Sequence, residues 1–348
     1  LSQAPLKQTP LPLLFQSSLT ALEPGWRDRK FLVAYSGGLD STALLHLTAL
    51  SLPRPQAAAA HFNHGLRGPA ADRDQAFAAR ATQELGLAFF TEKGDPAGLA
   101  RLRRKGLEEA ARLARYDYLA RAARLWGADF ILTAHQADDQ AETILMNLLK
   151  GAGPAGLAGI PPRRPLEGLV ILRPLLNSGR QALRDWLAAR GLAWLEDESN
   201  RDRRFWRNTV RQELMPALKK WNPRLLEALG RSAALMRAEE DFWQSRLAGL
   251  WPQAVILESP SEIEMDLGFM SALSLAERRR LVYAGLIQIQ RAQDLINEPV
   301  TFASVETALS LADTGSHKGL DLPGGLRAAA GGRVLRLTVA SRLAAGRL

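Results

Sequence analysis

The stretch FLVAYSGGLDSTALLHLTAL, residues 31 to 50, joins a short apolar run, a glycine pair and the start of an amphipathic helix. Phe31, Leu32, Val33 and Ala34 predict a strand buried on both faces. Ser36, Gly37, Gly38, Leu39, Asp40, Ser41 and Thr42 form the turn that follows. Ala43, Leu44, Leu45, Leu47 and Leu50 then supply the buried stripe of a helix. This strand–turn–helix unit sets the reading of the residues around it.

The chemistry of the turn favours an anion with a metal beside it. Gly37 and Gly38 have no Cβ, so the backbone is free to take positive φ and bring its N–H groups close to a phosphate. The new helix adds unpaired N–H donors and the positive end of its dipole. Ser36, Ser41 and Thr42 add hydroxyls, and Asp40 suits a Mg²⁺ that bridges phosphate oxygens. The spacing is neither GxxxxGK[ST] nor GxGxxG, so a Walker-type or dinucleotide site is not expected.

Working outward, the chain alternates strand and helix. Residues 13 to 23 predict a short helix, 57 to 62 a second strand, 72 to 85 a helix and 87 to 91 a third strand. Residues 108 to 126 read as a helix, 128 to 135 as a strand and 137 to 150 as a helix. The Gly- and Pro-rich segment 151 to 168 reads as a loop, followed by a strand at 169 to 173 and a helix from about 179 to 190. The expected fold class is α/β, a Rossmann-like, mostly parallel sheet with the site at its carboxyl edge. Beyond residue 215 the texture changes to helices at 224 to 250, 274 to 292 and 302 to 312, then short strands over 319 to 339 with Gly331 and Gly332 at a hairpin turn. The boundary is therefore placed between a domain of residues 1–215 and a smaller α+β domain of residues 216–348.

Composition narrows the function. The 348 residues have 47% hydrophobic and 23% charged side chains, a globular balance, and a net charge of +9 that favours a polyanionic partner. There is no cysteine, which excludes disulfides, thiolate metal sites and a sulfur relay carried on this chain. No apolar run reaches membrane-spanning length, so a cytoplasmic protein with no membrane partner is expected. No His spacing suggests zinc, and His46 reads as a packing residue, whereas His61, His64 and His135 fall at strand ends.

Just past one of those strand ends, Asp138, Asp139 and Glu142 share a helix face, being three and four residues apart. Three carboxylates beside a phosphate site need a cation among them, and either Mg²⁺ or a substrate ammonium fits. An acid-rich helix start serves the helix dipole as well. Further on, RDRRFWRNTVR at 201 to 211 interleaves arginines with Phe205 and Trp206, a mixture suited to phosphate contact and base stacking, although a solvated basic helix start has the same composition.

SGGLDS resembles the pyrophosphate-binding loop, or PP-loop, of the N-type ATP pyrophosphatases, which adenylate a substrate and release pyrophosphate. HQADDQAETILMNLLKGAGPAGLAGI at 135 to 160 resembles one family among them, the tRNA(Ile)-lysidine synthetases. HFNHGLR at 61 to 67, EEAARLARYDYL at 108 to 119, LRPLL at 172 to 176 and EDESNRDRRFWRNTVR at 196 to 211 resemble further motifs of that family. The resemblance covers residues up to about 215, and beyond them only LDLPGGLRAAAGGRVLRL near the end. Lys150 and Ala152 depart from the Arg and Ser of the family's glycine loop, which keeps a charge but loses a guanidinium fork and a hydroxyl.

The resemblance implies adenylation of the wobble cytidine of tRNA(Ile) with a CAU anticodon. Displacement of AMP by the ε-amine of L-lysine then gives lysidine, which switches decoding from AUG to AUA. ATP and Mg²⁺ are the implied cofactors, and a homodimer is compatible with family precedent. Ser36, Gly37, Gly38, Leu39, Asp40, Ser41, Thr42, His61, Asn63, His64, Arg112 and His135 are the expected nucleotide contacts, with Asp40 as metal ligand. Asp40, Asp138, Asp139 and Glu142 are the expected catalytic residues. Arg201, Arg203, Arg204, Phe205, Arg207, Asn208 and Arg211 are expected on the tRNA. A sulfur-transferring relative and an inactive tRNA-binding module are the two rival expectations. Zero cysteines stand against the first, and the intact loop and acidic cluster against the second.

Overall fold

A computed structural model of the chain describes residues 10–65, 68–103, 106–196, 206–295, 299–314 and 319–340. The chain divides into two compact units, Leu1–Arg237 and Ala238–Leu348.

The first unit is built in the order α1 (Leu11–Leu22), β1 (Phe31–Ala34), α2 (Leu39–Ser51), β2 (Ala57–Asn63), α3 (Pro69–Glu84), β3 (Ala88–Lys93), α4 (Pro96–Arg103), α5 (Leu107–Trp126), β4 (Phe130–Leu132) and α6 (Ala137–Leu149). Then come α7 (Pro154–Leu157), β5 (Arg163–Leu166), β6 (Leu169–Leu172), α8 (Arg180–Ala188) and α9 (Trp206–Thr209). A π-helical turn, Val210–Leu214, runs on into α10 (Met215–Trp221). The helix α11 (Leu225–Ala254) spans the division between the units.

The sheet order is β3-β2-β1-β4-β6-β5, parallel except for β5. β1 and β4 are neighbours although β2 and β3 lie on the other side of β1, so the strand order reverses between them and opens a crevice at their carboxyl ends. Alternation along β1 feeds both faces. Phe31 and Val33 pack with α1, α2 and α8, while Leu32 packs with Tyr116 and Leu119 of α5.

The segment after α6 differs from the sequence expectation. The segment 151–168, expected as a loop, contains α7 and the edge strand β5, which pairs antiparallel with β6 through a turn at Glu167 (φ 48°) and Gly168 (φ 82°). Pro165 is tolerated there because an edge strand has one side free of ladder bonds. The first compact unit runs on to Arg237. Val210, Met215 and Leu225 pack on Ala141 and Leu145 of α6, which ties α10 and the start of α11 to the first unit.

The second unit has its own core and a five-stranded antiparallel sheet, β7-β8-β11-β10-β9, formed by β7 (Val255–Glu258), β8 (Glu262–Asp266), β9 (Gly319–Leu322), β10 (Leu326–Gly331) and β11 (Val334–Val339). Between β8 and β9 lie α12 (Leu267–Ser271), α13 (Leu275–Ala292) and α14 (Phe302–Thr314). The hairpin at Gly331 and Gly332 is present, whereas β7 and β8 were not expected. No helix among the described residues is long and apolar enough to cross a membrane.

Candidate functional site

The turn between β1 and α2 is held by its own polar groups. Ser41 Oγ donates to the Gly38 carbonyl at 3.0 Å and lies 3.0 Å from Ser36 Oγ, and Thr42 Oγ1 donates to the Gly37 carbonyl at 3.1 Å. The returning chain closes the turn from outside, with Leu195 N–H donating to the Gly37 carbonyl at 2.9 Å. Only Gly37 takes a positive φ, 84°, and a Cβ there would meet Leu195 Cδ1 at 2.7 Å. Gly38 is extended (φ −72°, ψ 165°) and caps α2, so its lack of a side chain leaves room and is not required by the backbone. Leu39, Asp40 and Ser41 begin α2, where N–H groups have no intrahelical acceptor.

Asp40 is the carboxylate at the turn whose surroundings suit a cation. Its Oδ1 is buried with no hydrogen-bond partner among the described residues, and burial pushes its carboxyl up to about 6. Arg180 and Arg211 oppose that shift, while Asp139 and Asp138 reinforce it. These interactions place the turn and the acidic face of α6 in one electrostatic site. Among the described residues no group of three His, Asp or Glu is arranged to hold a metal, so a cation on Asp40 would take its other ligands from phosphate and water.

The acidic cluster is not open. Gln136 caps α6, its N–H donating to Asp139 Oδ2 at 3.2 Å while its side-chain oxygen accepts from the Asp138 N–H. Asp138 Oδ2 accepts from the Arg180 N–H at 2.8 Å, capping α8, and its Oδ1 receives the Lys219 ammonium at 2.7 Å. Glu142, 1% exposed, is gripped by Arg211 Nε at 2.6 Å and Arg207 Nε at 2.9 Å. Both arginines also reach Asp139 Oδ1, at 3.3 and 3.2 Å. Burial raises the Asp139 carboxyl above its ordinary range even so. A cavity of about 180 Å³ beside the cluster is lined by Asp138, Glu142, Arg180, Arg211, Met215 and Lys219, among others.

The other expected residues are distributed as follows. His61 is buried at the end of β2, its Nδ1 3.0 Å from the Tyr35 carbonyl at the start of the turn, and burial lowers its basicity. Asn63 braces the next turn by donating to Asp72 and Gln75 and accepting from Gly65 N–H at 2.9 Å. His64 packs edge-on against Phe62, and Arg112 is exposed on α5. Half-buried, with desolvation and the charges of Arg173, Arg115, Arg207 and Arg164 acting in one direction, His135 is pushed down to about 3 and is neutral at physiological pH. Arg173 Nε donates to its Nδ1 at 3.3 Å, which leaves the proton on Nε2. Asn208 is buried, and the structure engages Arg207 and Arg211 with the carboxylates of α6. Arg201, Arg203, Arg204 and Phe205 lie outside the described residues.

Sequence reasoning missed Arg115, Arg164, Arg173, Arg180 and Lys219. Arg173 had a usable signal, since it follows β6 directly at the carboxyl edge, as His135 follows β4. Lys219 had none, because its partner lies 81 residues away.

Residues 13–218 match the family model for the PP-loop domain. The chain belongs to the PP-loop family. Within it, the chain is 39% identical over 317 residues to a tRNA(Ile)-lysidine synthase of Symbiobacterium thermophilum, covering 88% of this chain and 64% of that protein. It is 40% identical over 289 residues to that of Pseudomonas aeruginosa, covering 79% and 63% of the two chains. To that of Thermus thermophilus it is 46% identical over 210 residues, covering 60% and 39%. The chain thus spans between 39% and 64% of the length of these three relatives. The match takes in the PP-loop turn and α6 alike.

Proposed function

We propose that this PP-loop chain acts as a tRNA(Ile)-lysidine synthase, joining lysine to the wobble cytidine of a CAU anticodon at the expense of ATP. The observation that carries the reading is the electrostatic union of a phosphate-binding turn with a caged carboxylate cluster across the β1/β4 crevice. Similarity to tRNA(Ile)-lysidine synthases suggests the substrate. In the first step the cytosine carbonyl oxygen attacks the α-phosphorus of ATP and the bond to pyrophosphate breaks. The α2 N–H groups, Ser36 and Ser41 receive the charge that develops on pyrophosphate. Asp40 is the residue that would hold Mg²⁺, which supplies further charge neutralisation at the phosphates.

In the second step the lysine ε-nitrogen attacks ring carbon 2. The carbon–oxygen bond breaks, and AMP departs with the oxygen. Asp138 already receives an alkylammonium from Lys219, so its carboxylate suits the ammonium of a free lysine that enters the adjoining cavity. Asp139, made more basic by burial, is the acceptor for the proton the attacking amine loses. Neutral His135 offers an Nε2–H donor to the nucleotide and does not serve as an acid at neutral pH.

The test is ATP labelled at the α-phosphate, incubated with tRNA(Ile) and Mg²⁺ but without lysine. Label should appear on the tRNA with equimolar pyrophosphate, and Asp40→Ala should abolish both. Pyrophosphate formed equally without tRNA would overturn the reading.

A further inference from the structure

Two strands away from the PP-loop, basic side chains gather that the proposed reaction leaves without a counterion. Arg173, directly after β6, is 4% exposed and forms no ion pair with a carboxylate among the described residues. Its Nη1 donates to the Pro161 carbonyl at 2.6 Å, and its charge acts on the Tyr116 phenol. The Arg164 guanidinium lies 4.8 Å and that of Arg115 5.3 Å from the centre of the Tyr116 ring. Neither of these arginines has an ion pair among the described residues. Three guanidinium groups therefore converge on one phenol.

Such a grouping repels itself, and the effect is visible at its members. Arg173 loses basicity through burial and through Arg164, and the Tyr116 phenol is acidified against its burial by Arg115, Arg173 and Arg164. One buried and two partly buried like charges without a carboxylate partner suit an anion. The PP-loop turn itself lies apart from them on two counts. β6 is two strands from β1, roughly 10 Å at the usual spacing. The cluster also lies on the α5 face of the sheet, where Tyr116 packs with Leu32 and Ile171, whereas α2 packs on the opposite face with Phe31 and Val33.

We infer that Arg115, Arg164 and Arg173, arranged around Tyr116, form a second phosphate-binding site that takes a phosphodiester of the RNA strand beside the target nucleotide. The inference rests on the reading of the chain as acting on tRNA. Guanidinium forks match phosphate oxygens, and the ring beneath them offers a surface for an unstacked base.

The experiment uses the full chain with Arg115→Gln, Arg164→Gln and the double variant, all at partly exposed positions that spare the buried Arg173. Binding of a labelled anticodon stem-loop RNA is measured across a salt series, and binding of ATP with Mg²⁺ separately. Each substitution should reduce the slope of log affinity against log salt by about 0.7. Arg164→Lys should retain the slope, and ATP affinity should stay within about twofold. An unchanged slope in the double variant overturns the site. A fall in ATP affinity at constant RNA slope reassigns the cluster to ATP and overturns the phosphodiester. Wild-type protein that binds no RNA overturns the reading beneath it.

Discussion

At the scale of the residue, burial of Asp40 bears on stability. Its carboxyl is raised from 3.8 to about 6 in the folded protein. Above pH 6 the group is ionised in both states and the folded state bears the penalty. Between about 6 and 4 the folded protein binds the proton first and the penalty fades; below 4 it is gone. Asp40→Asn should therefore stabilise the metal-free protein at pH 7.5, by at most about 3 kcal/mol at 1.36 kcal/mol per pKa unit, and lose that gain towards pH 4. Thermal melts of both proteins with a chelator across that range check it; a destabilised variant at pH 7.5 would contradict it. Lys219 leads to a second expectation. Lys219→Met removes the ammonium from Asp138 and keeps the apolar stem, so the KM for lysine should fall about threefold or more with kcat little changed. A raised KM would instead make Lys219 an organiser of the pocket. Carboxylates and histidines near strand ends could be named from the sequence because the edge of a parallel sheet gathers them; that Arg207, Arg211 and Lys219 pair with those carboxylates could not, since they come from helices distant in the chain.

At the scale of the element, the PP-loop turn shows where a motif has a backbone reason and where it does not. Gly37→Ala forces a side chain into φ 84° and against Leu195, and should cost about 1–3 kcal/mol in denaturant unfolding as well as weaken ATP binding. Gly38→Ala has an ordinary backbone and an ordinary 3.6 Å contact with Ser36 Oγ, so its stability should stay within about 1 kcal/mol of wild type. Equal losses in both would contradict the assignment. Strand β1 and helices α2, α5 and α6 were readable because apolar periodicity and caps agree along them. Strand β5 was hidden, since Pro165 and the surrounding glycines mark an edge strand and a loop alike.

At the scale of the whole molecule, the two units bury separate sets of side chains, one centred on Phe31, Leu44 and Leu132 and the other on Ile263, Leu286 and Leu337. Heating should therefore give more than one calorimetric transition, with a calorimetric enthalpy above the van't Hoff value; a single two-state transition would contradict the division. The parallel sheet of the first unit was legible from its alternating strands and helices. In the second unit β7 is a short, mostly exposed apolar run directly after a long helix, whereas β8 alternates polar and apolar residues as a half-buried strand does, a signal present in the sequence over only five residues. That the first compact unit runs on to Arg237 was hidden, because it depends on α10 and α11 packing against α6 rather than on any change in composition.

The proposed activity is amine transfer to RNA driven by ATP, and incorporation of radiolabelled lysine tests it directly. With ATP and Mg²⁺, the chain should label tRNA(Ile) bearing the CAU anticodon, release AMP and pyrophosphate in equal amounts, and leave methionine tRNA unlabelled. ATP cleavage that depends on tRNA(Ile) but transfers no lysine would contradict it.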